Sequence, residues 1–173
     1  MTNQQDSGGI VVMEAALAHV PAIGEVVRAA FGGDAESRLV EALRAEGAVV
    51  AELVALEKGR VIGHVMFSAL GCAPADRKVA ALAPVAVLPE RQGTGIGRMA
   101  VRQGLDLCRK RGIDAITVLG DPAYYRSFGF AHRTADDFEC VYSGPAFMAL
   151  ELRNGALDGV KRKLTYPRAF ENV

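Results

Sequence analysis

The sequence predicts a mixed α/β domain: a largely antiparallel sheet of about six to seven strands holding one parallel pair, with about four helices. Three observations lead there. Ala48–Leu56 and Val61–Leu70 are strand-like runs joined by the polar turn Glu57, Lys58, Gly59, Arg60, a connection too short for parallel neighbours, so they pair as an antiparallel hairpin. Val79–Leu88, a glycine-rich loop, a helical pattern over Ile96–Arg111 and the apolar run Ile113–Leu119 make a βαβ unit, with parallel strands and a right-handed crossover. Between its strand and its helix stands Arg91-Gln92-Gly93-Thr94-Gly95-Ile96-Gly97. Its glycines remove Cβ atoms and permit positive φ, and a helix start offers unpaired N–H groups at the positive end of its dipole, so this turn can hold a diphosphate on backbone donors.

The remaining elements follow in order. Met1–Gly9 is polar and is expected to be a flexible tail ahead of a single domain over 10–173. Ile10–Met13 is a β-branched first strand. From about Leu17 to Phe31, Val20, Ile23, Val26, Val27, Ala30 and Phe31 recur at helical spacing until Gly32 and Gly33 stop them. Asp34 then suits the N-cap of a second helix with Leu39, Val40 and Leu43 on one face. Gly71–Lys78, with Pro74, reads as an exposed loop. Pro84 in the middle of Val79–Leu88 lacks a ladder donor and demands a bulge or an edge. The third helix places Met99, Ala100, Gly104, Leu107 and Cys108 on its apolar face and ends at Gly112. Gly104 costs about 1 kcal/mol against alanine unless it permits a close contact. Asp121 and Pro122 open a short helix that Gly129 ends. Phe138–Val141 and Ala146–Leu152 read as the last strands, and the basic, aromatic segment Lys161–Phe170 as a tail packed along the surface.

Composition narrows the function. Lys plus Arg and Asp plus Glu each number 20, so no net charge attracts nucleic acid or an anionic membrane. No apolar run approaches the length of a membrane span, and MTNQQDSGG lacks the basic start and apolar core of a signal peptide, which points to the cytoplasm. Cys72, Cys108 and Cys140 are odd in number and widely spaced, arguing for reduced thiols and against a disulfide framework or a metal site.

The spacing Gln92, Gly95, Gly97 is Q-x-x-G-x-G directly after an apolar strand, and about thirty residues later Tyr125, Gly129 and Phe130 form Y-x-x-x-G-F. Together these resemble the GNAT superfamily of N-acetyltransferases, and the segments FMALEL, GALDG and TYPRAF are similar to its YhbS-like branch. The resemblance implies the acyl-CoA N-acyltransferase fold, in which the strand carrying Pro84 splays from its parallel neighbour and opens a slot for pantetheine. It implies acetyl-CoA as cofactor, coenzyme A as product and an amine as acceptor. Gln92, Gly93, Thr94, Gly95, Ile96 and Gly97 would hold the diphosphate, with Arg91 or Arg98 adding charge. Val85, Ala86 and Val87 would pair with the pantetheine amides, and an N–H of Val85 or Ala86 would serve the oxyanion.

Tyr125 occupies the tyrosine position of the motif and is expected to protonate the departing thiolate. Free tyrosine at pKa ≈ 10 against a thiol at ≈ 8.5 makes full transfer uphill by about 2 kcal/mol. Tyr124 sits about 100° away around the helix and should face elsewhere. Ala81–Leu88 contains no ionisable side chain. His64 is therefore the candidate base by type and position, with water acting on a partly neutral amine as the competing route.

Two other functions remain at this point. Gly93-Thr94-Gly95 imitates a dinucleotide-binding start, but Arg98 stands where the third glycine belongs. A GNAT fold that binds an acyl-CoA without turnover, as a sensor or interaction module, is the alternative to the enzyme. The acceptor is a small-molecule amine or a protein amine, and the chain a monomer or homodimer.

Overall fold

The computed structural model describes residues 9–173; the tail expected over Met1–Gly9 lies outside them except for Gly9. The sheet has eight strands. β1 (Ile10–Glu14), β2 (Val49–Glu57), β3 (Arg60–Ala73), β4 (Val79–Val87), β5 (Ala115–Leu119) and β7 (Phe147–Glu151) lie side by side in that order, and β8 (Arg162–Thr165) joins the far end of β3 and pairs with β6 (Phe138–Glu139). Pairing along the main path is antiparallel except between β4 and β5. The β2–β3 hairpin turns on Lys58 and Gly59, whose φ values of 49° and 78° give the positive pair that matches strand twist.

Side chains alternate across the sheet and feed two cores. Val54, Ile62, Met66 and Ala86 face α1 (Val20–Phe31) and α2 (Ala35–Ala45), meeting Ile23, Val27, Val40 and Leu43. Leu53, Val65, Phe67 and Leu82 face the other way, toward α3 (Ile96–Lys110) and the segment after α4 (Pro122–Arg126), meeting Val101, Leu105, Cys108 and Phe130. The buried face of α3 is Ile96, Ala100, Val101, Gly104, Leu105 and Cys108; Met99 and Leu107, expected at its centre, flank it half-buried. Asp121 caps α4, accepting from the Ala123 N–H at 3.0 Å. Asp34 stands at the N-cap position of α2 without capping it, because its carboxylate accepts from Arg28 Nε at 2.9 Å.

The C-terminal segment corrects the sequence reading most. Lys161–Phe170 was expected on the surface and Gly71–Lys78 as an exposed loop. Instead β3 runs to Ala73, and Gly71–Ala73 pairs with Lys163–Thr165, while Pro74–Lys78 is the mostly exposed loop that was expected. Arg162 is 1% exposed. Its guanidinium is held by Asp76 at two distances of 2.9 Å, by Asp158 at 3.0 Å and by the Leu157 carbonyl at 2.7 Å. A charged residue inside a strand reads as solvent-facing unless distant carboxylates are known to surround it, and here the chief one lies 86 positions away in sequence.

Gly104 shows the close contact that its cost demands. A Cβ there would stand 2.2 Å from Phe67 Cε2, and Phe67 is wholly buried. Gly104→Ala is therefore expected to destabilise by about 2 kcal/mol in urea unfolding, overpacking exceeding the roughly 1 kcal/mol of helix propensity gained. Phe67→Leu on the same background should recover part of the loss, and strict additivity would refute the contact.

Candidate functional site

The site begins where the parallel pair parts. β4 and β5 pair from Val79–Ala81 to Ala115–Thr117 and no further. On the other side of β4, the register passes from Phe67↔Leu82 to Val65↔Val85, so β4 carries an extra residue at Ala83-Pro84. This is the bulge that Pro84 demanded, and beyond it β4 leans on β3 alone. The result is a slot of about 400 Å³ between the strands, reached by Pro84, Val85, Thr117 and Val118.

Backbone alternation decides which groups of β4 face the slot. The Leu88 N–H donates to Ile62 of β3 at 2.9 Å, and the Ala86 carbonyl lies against Gly63. Ala86 and Leu88 thus turn their polar groups to β3, and Val85 and Val87 between them turn theirs to the open edge. Ala86, expected among the cofactor-pairing residues, has its side chain buried at 1% exposure and its backbone spent on the sheet.

The glycine loop forms a second cleft of about 590 Å³, lined by Gln92, Gly93, Gly95, Ile96, Gly97 and Arg98 together with Val85 and Val87. Gly93 and Gly95 take φ of 75° and 88°, and Gly95 is the N-cap of α3. The N–H groups of Gly93, Thr94 and Gly95 find no partner among the described residues, and those of Ile96, Gly97 and Arg98 head the first turn of α3. Gln92 secures the loop, its amide donating to the Val87 carbonyl at 3.1 Å while its own N–H is turned to Pro89. Thr94 stays outside the cleft lining; its hydroxyl donates to the Arg91 carbonyl at 2.6 Å. Arg91 pairs with Glu57. Arg98 makes no ion pair with any other described residue and lies over the Tyr124 ring at 5.6 Å, so it is a cation available at the loop.

Both tyrosines of α4 reach these clefts. Tyr125 lines the slot, as its motif position implied, while Tyr124, expected to face elsewhere, lines the loop cleft beside Gly97. Their rings meet edge to face at 5.0 Å. Burial, reinforced by Tyr124, pushes the Tyr125 phenol up to about 12. Gly120 makes room for the ring: a Cβ there would sit 2.6 Å from Tyr125 Cε2. Phe31 and Val85 line both clefts, so the loop cleft and the slot adjoin each other. The slot's outer wall, Phe31, Leu39, Tyr142, Tyr166 and Phe170, was not assigned from sequence. The aromatic spacing of Tyr166 and Phe170 was the only sign of it.

His64 lines neither cleft. It is wholly buried on the α1–α2 side, opposite Val54 and Ala86. Its Nε2 lies 2.8 Å from Glu52, which also pairs with Arg44. A carboxylate only accepts, so Nε2 carries the proton, and Nδ1 has no partner among the described residues. Burial holds His64 below its ordinary 6.5 against the pull of Glu52. Glu52 is held at about 2; burial acts to raise it and is outweighed by the His64 and Arg44 hydrogen bonds.

Both shifts favour the folded state at neutral pH and lose that contribution on acidification. For His64 the loss begins as pH falls through 6.5, where the unfolded chain takes up a proton first. For Glu52 it begins below 4.5, amounting to about 3 kcal/mol by pH 2. The melting temperature should fall from pH 7 to pH 3, and Glu52→Gln should flatten the part below pH 4.5. An unchanged slope in that variant would remove the assignment.

An interrupted strand, a splayed parallel neighbour and a helix start bearing Q-x-x-G-x-G define an acyl-CoA-dependent acyltransferase scaffold. The chain belongs to the GNAT family: the model described as Acetyltransferase (GNAT) family matches residues 22–130. It is 37% identical over 153 residues to the protein of Escherichia coli (strain K12) called uncharacterized N-acetyltransferase YhbS, covering 87% of this chain and 92% of that one. The crystal structure of E. coli YhbS in complex with CoA superposes with a TM-score of 0.87 at 34% identity, over 94% of this chain and 92% of that one. A GNAT family acetyltransferase from Brucella melitensis in complex with acetyl-CoA gives 0.78 at 33% identity, over 93% and 97%. The expected resemblance to the YhbS-like branch holds. Among the described residues no helix is long and apolar enough to cross a membrane, and no group of three or more His, Cys, Asp or Glu is placed to hold a metal ion.

Proposed function

We propose that this protein is an acetyl-CoA-dependent N-acetyltransferase acting on a primary amine by direct attack in a ternary complex. The observation that carries this reading is the adjacency of the glycine-loop cleft and the β4–β5 slot, which share Phe31 and Val85, with loop N–H groups that have no partner among the described residues in one and Tyr125 in the other. The residues fit the coenzyme on their own terms: among the described residues the N–H groups of Gly93, Thr94 and Gly95 have no partner and Arg98 makes no ion pair, and Gly97 leaves backbone approachable. The relatives crystallised with CoA and acetyl-CoA support the same fit.

The coenzyme supplies a thioester: a nitrogen–carbon bond forms as the carbon–sulfur bond breaks, the amine loses a proton and the sulfur gains one. The chain's part is distributed. The Gly93–Gly97 backbone with Arg98 anchors the diphosphate, and Val87 and Val85 offer strand-like partners to the arm. The Val85 N–H faces the oxyanion, since Pro84 has none and Ala86 is turned to β3. Tyr125 Oη donates to the departing sulfur. Water in the open slot takes the amine proton, because His64 is enclosed between the sheet and the α1–α2 layer.

The test mixes acetyl-CoA with a panel of amines and follows free thiol. Amine-dependent thiol release supports the enzyme. Tight acetyl-CoA binding with no release under any amine favours a catalytically silent acyl-CoA-binding module, and absence of binding overturns both.

A further inference from the structure

Glu36, in the first turn of α2, is the one acidic side chain lining the slot. It is half-buried and makes no hydrogen bond or ion pair with any other described residue. Facing the same space are Tyr142, Tyr166 and Phe170, already fixed against one another: Tyr142 and Tyr166 meet edge to face at 4.7 Å, Tyr166 and Phe170 at 5.1 Å. The Tyr166 hydroxyl is spent on Thr117 Oγ1 at 3.0 Å, so this wall presents ring faces and edges more than polar atoms. Burial raises the Tyr166 phenol far above its ordinary value, and it stays neutral.

A carboxylate beside rigid aromatic rings selects by both charge and shape. One ammonium group is satisfied by Glu36 and by the negative faces of the rings. A carboxylate on the ligand is repelled by Glu36. An apolar body gains contact with the rings that a polar chain does not.

Resting on the acyl-transfer reading above, we propose that the acceptor is a small primary amine with an arylalkyl-sized apolar body and no carboxylate, its nitrogen held by Glu36 and its body by Tyr142, Tyr166 and Phe170. Glu36 is then a specificity-determining residue. After one proton leaves, the same nitrogen faces the slot that Tyr125 lines.

The experiment titrates 2-phenylethylamine, spermidine and phenylalanine into the CoA complex of the full chain by calorimetry, for the wild type, Glu36→Gln and Glu36→Asp. Phenylethylamine should bind roughly 10-fold more tightly than either competitor, weaken by roughly 10-fold in Glu36→Gln and recover in Glu36→Asp. The melting temperature should fall by no more than a few degrees, since Glu36 has no side-chain partner among the described residues and only its interaction with the α2 N-terminus is lost. Equal binding of phenylethylamine and spermidine, or an unaffected Glu36→Gln, overturns the proposal. Thiol assays with the same amines separate it from the enzymatic reading. Phenylethylamine binding without thiol release keeps this subsite and sinks the transferase; thiol release with spermidine or a peptide amine but none with phenylethylamine does the reverse.

Discussion

Replacing Tyr125 by phenylalanine is expected to lower kcat about 10²- to 10³-fold while leaving the dissociation constant of acetyl-CoA within about twofold. The ring stays, so packing against Tyr124, Phe128 and Phe130 is kept, and only Oη is removed. The size of the effect follows from where the phenol titrates. At about 12 it lies some 3.5 units above a free thiol, which makes full proton transfer uphill by about 5 kcal/mol. The burial that raises the phenol also raises a sulfur held in the same slot. The gap then narrows toward the roughly 2 kcal/mol of the free groups, and a hydrogen bond that strengthens as charge builds on sulfur covers much of what remains. A phenol at about 12 also predicts no loss of kcat from this group up to about pH 10. A Tyr125→Phe enzyme with wild-type kcat would show that the sulfur takes its proton from water.

Gly97→Val is expected to raise the dissociation constant of acetyl-CoA about 100-fold. A Cβ at this position would stand 2.9 Å from Tyr124 Oη and 3.5 Å from Val87 Cγ2, at the point where loop cleft and strand meet. Any branched side chain must push Tyr124 aside and cover the first-turn N–H groups of α3. Losing two hydrogen bonds to a charged diphosphate is worth about 3 kcal/mol or more, hence the factor. Gly112→Ala is the control. Gly112 ends the same helix at φ 78° with open space around it, so alanine costs backbone strain there and should leave binding untouched. Calorimetry with acetyl-CoA on both variants distinguishes a blocked cradle from a loosened helix. Equal weakening in the two would show that α3 stability, not access to the loop, governs affinity.

These two positions were legible from the chain because their signals are local. Three glycines at fixed offsets after an apolar strand need no knowledge of distant residues to announce a helix start open to an anion, and Asp121-Pro122 likewise announces α4. Pro84 announced its bulge because a missing N–H is a property of one residue. Other positions depended on partners far away in sequence. His64 looked available as a strand histidine, and Glu52 on the neighbouring strand and the helices above it enclose it. Arg162 looked solvated until Asp76 and Asp158 are seen around it. Glu36 sat unremarked near the start of a helix read only for its apolar face.

Local signals along the chain were enough for the hairpin, the βαβ unit and the glycine-loop helix start, and through them for the family. Periodicity, turn chemistry and missing Cβ atoms act within a few residues, so they are written in the order of the chain. Tertiary structure alone decided that Ala86 spends its polar groups on β3 while Val85 keeps them for the slot, that His64 is closed off, and that Glu36 lines the same slot as Tyr142, Tyr166 and Phe170. Each of these depends on which face of the sheet a residue shares with groups up to a hundred or more positions away, and that is fixed only when strands register and layers pack.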